Sequence, residues 1–81
     1  MQKPKVLSGK EMVEIFASFG FAVASQRGSH IKLRRLRPDG TKQTLTVANH
    51  DELDKGTLRA IYRPGLRYIS EEGLFPHFYS E

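Results

Sequence analysis

The chain has 81 residues, 38% hydrophobic and 27% charged, with a formal net charge of +4. Its length allows one small core, and the absence of cysteine excludes a disulfide framework or a thiolate metal site. No apolar run approaches the roughly 20 residues of a membrane span, and the polar start Met1-Gln2-Lys3-Pro4-Lys5 is no signal peptide, so the expected address is cytoplasmic, with no membrane contact.

Ser8-Gly9-Lys10-Glu11 reads as a capping box: Ser8 can accept a backbone N–H and Glu11 can reach back. Met12, Ile15, Phe16 and Phe19 then recur at helical spacing, and Gly20 suits the position past a helix end. A helix is predicted over 9–19. Residues 21–26 alternate as a strand, with Phe21, Val23 and Ser25 on one side and Ala22, Ala24 and Gln26 on the other. Gly28-Ser29 makes a tight turn. In the next strand, 30–36, Ile31 and Leu33 point one way and His30, Lys32 and Arg34 the other. Arg37-Pro38-Asp39-Gly40 is a reverse-turn signal. The return strand, 42–47, sends Leu45 and Val47 in and Lys42, Thr44 and Thr46 out.

After a polar loop, Asp54 or Thr57 caps a second helix that carries Leu58, Ile61 and Tyr62 on one face, sets Arg59 and Arg63 on another, and stops at Pro64-Gly65. Ser70-Glu71-Glu72 can start one more turn of helix, which Gly73 and Pro76 keep short. The tail Leu74-Phe75-Pro76-His77-Phe78-Tyr79 is apolar enough to pack back on the domain or on a neighbour. The expected fold is α+β: an α-β-β-β-α order with a three-stranded antiparallel meander and both helices on one face. A single domain is expected over 1–81, with its core over about 6–66 and an aromatic tail over 67–81. A domain of this size buries only about 60% of its unfolded surface, which leaves self-association open as a source of stability.

Charge is the strongest functional signal. Between residues 27 and 42, Arg27, Lys32, Arg34, Arg35, Arg37 and Lys42 face one acid, Asp39. That stretch carries +5, so the rest of the chain sums to −1. A solvated edge that resists aggregation would also use Lys and Arg, but such concentration favours a phosphate-rich partner. No exposed aromatic platform for stacking bases is evident on this face, which points to backbone or shape recognition.

A lone histidine on a strand is usually unremarkable. His30, however, follows the turn Gly28-Ser29, where backbone can approach a ligand closely, and its neighbours Arg27, Lys32 and Arg34 are cations. Imidazole can move a proton near neutral pH. Beside RNA it can drive attack by a ribose 2′-hydroxyl on the adjacent phosphate, a reaction that needs no protein nucleophile. His30, His50 and His77 show no metal-ligand spacing, and neither a metal nor a cofactor is expected. His50 is either a second acid/base group or a loop residue, with the loop role preferred.

Taken together, Leu7-Ser8-Gly9-Lys10-Glu11, Phe19-Gly20-Phe21, Arg27-Gly28-Ser29-His30, Pro38-Asp39-Gly40, Val47 with His50, and Lys55-Gly56-Thr57-Leu58-Arg59-Ala60-Ile61 resemble the HicA (YcfA-like) toxin family. The likeness runs over about residues 6–66. It implies a fold like the double-stranded-RNA-binding domain and a metal-independent ribonuclease that cleaves mRNA and halts translation. It also implies that His30 is the catalytic histidine and that a HicB-type antitoxin is the partner. Arg27, Gly28, Ser29, Lys32 and Arg34 are the expected RNA-binding residues. The alternative is a non-catalytic RNA-binding module on the same fold. The chain departs from the family pattern at Ala48, where proline is frequent, at Arg63-Pro64-Gly65-Leu66, and in its aromatic tail.

Overall fold

The computed structural model describes residues 2–80. The elements run β1 (Lys3–Pro4), α1 (Gly9–Ala17), β2 (Ala22–Arg27), β3 (His30–Leu36), β4 (Lys42–Ala48), α2 (Lys55–Gly65), α3 (Glu71–Phe78) and β5 (Tyr79–Ser80). Strands β2, β3 and β4 form an antiparallel meander in that order. The inward-facing Ile31, Leu33, Leu45 and Val47 are buried against Met12 and Phe16 of α1 and Leu58, Ile61 and Tyr62 of α2. The α+β architecture expected from the sequence is present, with a third helix and a small second sheet added to it.

The capping box forms in both directions: Glu11 N donates to Ser8 Oγ (3.0 Å) and Ser8 N to Glu11 Oε1 (2.9 Å). Gly9 is required by packing rather than by a turn. A Cβ there would collide with the Ala48 carbonyl oxygen and lie 2.6 Å from Asn49 Cα, both backbone atoms, while Gly9 N donates to His50 O (2.8 Å). The start of α1 is thereby pinned to the exit of β4.

Asp54, not Thr57, caps α2: Thr57 N donates to Asp54 Oδ1 (2.7 Å), and this bond holds the carboxyl below the usual range. The helix ends at Pro64-Gly65, as expected, and includes both residues. The only carbonyl that Pro64 orphans belongs to exposed Ala60, where water can serve it. Gly65 lets α2 close on its neighbours, since a Cβ there would sit 2.9 Å from Leu74 and 3.3 Å from Phe16.

The largest departure from expectation is α3, which runs through Gly73 and Pro76. Its cap is Ser70, whose Oγ accepts from Gly73 N at 3.3 Å. Leu74 and Phe78, four residues apart, are fully buried, so one anchored face outweighs two poor helix formers. Phe78 packs edge-on against Phe16 and tilted against Tyr62, so the aromatic tail belongs to the same core. The N-terminal segment then closes over it. Lys3 pairs with Ser80 and Pro4 with Tyr79, and Lys5 N donates to Phe78 O (2.8 Å). Neither short strand carries a β-signal in sequence.

Candidate functional site

Cross-strand pairing sets what faces solvent. His30 pairs with Arg27 and Ala48, Lys32 with Ser25 and Thr46, and Arg34 with Ala22 and Thr44. Directly opposed residues share a face. One open face therefore carries His30, Lys32 and Arg34 down its middle, Ser25 and Arg27 on one side, and Thr44 and Thr46 on the other.

Ser25 is there because of a β-bulge. The register shifts between Val23, which pairs with Leu33, and Ser25, which pairs with Lys32. Ala24 is the extra residue. Simple alternation places Ser25 with Val23; the bulge breaks that parity and turns Ser25 and Arg27 onto the open face. No single residue in this stretch announces a bulge, because the alternation is continuous to the eye.

Arg27 and His30 close the β2–β3 hairpin through Gly28-Ser29. Gly28 has φ +55° and, among the described residues, no non-glycine residue has a positive φ, so the loop has its left-handed residue in the first position, the type II′ pattern. A Cβ on Gly28 would meet nothing within 4 Å, which leaves the outside of the turn open to a ligand. Asn49 N donates to Ser29 O (2.6 Å). The turn bearing His30 is thus tied to the β4 exit, and through it to Gly9 and the start of α1.

Ser25, Arg27, His30, Lys32 and Thr46 line one concavity of about 300 Å³. All five residues are exposed. Arg34, one step along β3, is half-buried, and its Nε is shielded from solvent without a hydrogen-bond partner.

The +5 of the 27–42 stretch does not act as one patch. Arg35 points to the other side of the sheet. Its Nε donates to Gln43 Oε1 (2.7 Å), and its terminal nitrogens donate to Phe19 O and Tyr68 O (2.9 Å each). Its guanidinium lies 4.8 Å from the Phe21 ring centroid. Arg35 is therefore a structural clamp. Arg37 and Lys42 sit at the far hairpin with Asp39, about 20 Å along β3 from His30 at a strand's rise per residue. Asp39 stays ionised there, held below its usual range by the Thr41 hydroxyl and then by the Thr41 N–H. That leaves Arg27, Lys32 and Arg34 as the cations near the histidine, with Lys42 on the same face but at its far end.

His50 is exposed on the loop after β4, two residues beyond the partner of His30, and its charge helps depress Asp54. It is not among the residues lining the concavity. Among the described residues, no three His, Asp or Glu side chains converge as metal ligands, and no helix is long and apolar enough to cross a membrane.

Comparison with known proteins adds one finding. No curated protein and no solved structure matches the chain. The family model described as the HicA toxin of bacterial toxin–antitoxin systems matches residues 9–67, from the first residue of α1 to just past α2. The matched span covers most of the chain and includes the whole meander with its histidine-bearing turn. The chain belongs to the HicA toxin family of bacterial toxin–antitoxin systems.

Proposed function

We propose that this toxin is a metal-independent endoribonuclease that cleaves mRNA, with His30 as its acid/base group. A HicB-type antitoxin is its neutralising partner. The observation that carries this reading is the shared concavity, in which one exposed histidine stands among Arg27, Lys32 and two hydroxyl side chains on an open sheet face.

The chemistry follows from those groups. Arg27 and Lys32 hold an RNA phosphate by charge, and Arg34, one step along β3 on the same face, adds its charge to the strand's path. The open turn at Gly28-Ser29 lets the backbone approach. His30 takes the proton of a ribose 2′-hydroxyl. The 2′-oxygen forms a bond to phosphorus as the bond to the 5′-oxygen breaks, and the proton on the imidazolium is then available to the departing 5′-oxygen. The cations offset charge building on the phosphoryl oxygens. The products are a 2′,3′-cyclic phosphate and a 5′-hydroxyl, and no protein nucleophile is needed.

The test is incubation of the wild-type and His30→Ala proteins with a long mRNA in EDTA, with fragments resolved and their ends analysed. Expected are cleavage by the wild type alone and cyclic-phosphate ends, with RNA binding retained by the variant. Intact RNA with folded, antitoxin-free wild type would overturn the enzyme reading and leave an RNA-binding module.

A further inference from the structure

A second cationic surface lies on the helical side of the molecule. Lys55, Arg59 and Arg63 recur every four residues along α2 and are all exposed. Successive cations stand about 6 Å apart along the helix. Only Arg63, in the last turn, suits the dipole of α2. Like charges at this spacing repel, and Lys55 in the first turn opposes the helix dipole.

The ridge borders a concavity of about 510 Å³ that α2, α3, β1 and β5 enclose together, with Tyr62, Phe75 and Tyr79 in its lining and Glu71 beside them. Both α3 and β1 fall outside the family-matched span of 9–67. This groove is therefore built by the chain's own extensions upon a family helix, on the side of the sheet opposite His30.

We propose that this groove docks an acidic segment of a protein partner, with carboxylates along the α2 ridge and one aromatic or leucine side chain on the aromatic floor. Charge complementarity supplies the first half of that assignment. The rings supply the second, and they favour a protein over a nucleic-acid strand. Tyr62 packs against Phe78 and Tyr79 at 5.1 and 5.2 Å, and Phe75 stacks on Tyr79 at 5.2 Å. Ring faces already spent on one another form an apolar floor but a poor platform for bases. The inference rests on the antitoxin reading for the identity of the partner, but not on His30 chemistry.

The experiment is selection of a displayed short-peptide library on the His30→Ala protein, with counter-selection on the same protein carrying Arg59→Glu and Arg63→Glu. Both arginines are exposed; folding is checked by circular dichroism, and the Gln pair replaces the Glu pair if needed. Expected survivors are rich in Asp and Glu around one aromatic or leucine anchor. They should bind at least about tenfold more weakly to the charge-reversed protein, and Phe75→Ala should weaken them as well. Arg59→Glu/Arg63→Glu in the His30-intact protein should cleave RNA as the wild type does. Recovery of no acidic peptide dependent on these arginines would overturn the proposal. Loss of RNA binding in the charge-reversed protein would also overturn it and make the ridge an RNA surface. Failure of wild-type cleavage sinks the ribonuclease reading alone, since peptide binding is measured without it.

Discussion

Arg35 shows how far a residue's role departs from its charge. The sequence counts it in a basic run; pleating sends it to the helical side, where two backbone carbonyls, one amide and one ring take up the guanidinium. Bonds with a charged donor contribute more than neutral ones, so Arg35→Ala should cost at least about 2 kcal/mol in denaturant unfolding. RNA affinity at moderate salt should stay near wild type, because Arg35 is not on the open face. Lys32→Ala should do the reverse, with unchanged stability and weaker RNA binding. Tyr62 provides a test by pH. Burial, then the neighbouring Glu71, raises its phenol above 10.0. Folding therefore favours the neutral phenol: its contribution is complete below the unfolded value and is lost as pH rises through the higher folded value. Stability measured across alkaline pH should fall less steeply in Tyr62→Phe than in wild type, and identical profiles would remove Tyr62 from that account.

At the scale of elements, the bulge in β2 is the most informative feature. Ala24 is the residue the bulge accommodates, so its deletion should leave Val23 opposite Leu33, Ser25 opposite Lys32 and Arg27 opposite His30, now in plain alternation. The Ala24-deleted protein should keep its helices by circular dichroism and bind RNA about as the wild type does. Loss of binding by the folded variant would show that the local twist of the bulge, and not the facing of Ser25 and Arg27 alone, shapes the RNA surface. The same bulge marks the limit of reading strands from sequence. The strands themselves were legible, because Ile31, Leu33, Leu45 and Val47 alternate without interruption and glycine and proline bracket them. Helix α1 was legible for the same reason, since its cap and its apolar stripe agree. The bulge was not, because Val23-Ala24-Ser25 alternates equally well with or without it. Helix α3 was underestimated because Gly73 and Pro76 are penalties in any local scale, whereas its stability is tertiary and comes from Leu74 and Phe78. His30 could be singled out from its turn and its neighbours. The clamp role of Arg35 and the groove between α2 and α3 depend on chain segments far apart in sequence, and no local pattern reveals them.

The whole molecule is a slab, 39 × 31 × 17 Å, with helices on one side of a sheet and an open basic face on the other. Its charge is thus divided between two surfaces that look in opposite directions, and an RNA strand bound on the sheet as proposed would meet only the first. On that face Lys42 lies at the far hairpin, about 20 Å from His30, and the cations near the histidine are Arg27, Lys32 and Arg34. If each neutralises one phosphate of a single strand, log affinity should fall with log salt at a slope of about −2, from roughly −0.7 for each of three contacts. Engagement of Lys55, Arg59 and Arg63 by the same RNA would double the number of contacts and steepen the slope to about −4. Titration of a short single-stranded RNA onto His30→Ala across a salt series separates these cases. The shallow slope should flatten by about 0.7 in His30→Ala/Lys32→Ala and remain unchanged on reversal of Arg59 and Arg63. A steep slope that relaxes when those two arginines are reversed would mean that RNA wraps the edge of β4 and joins the two faces. The helical surface would then belong to the substrate.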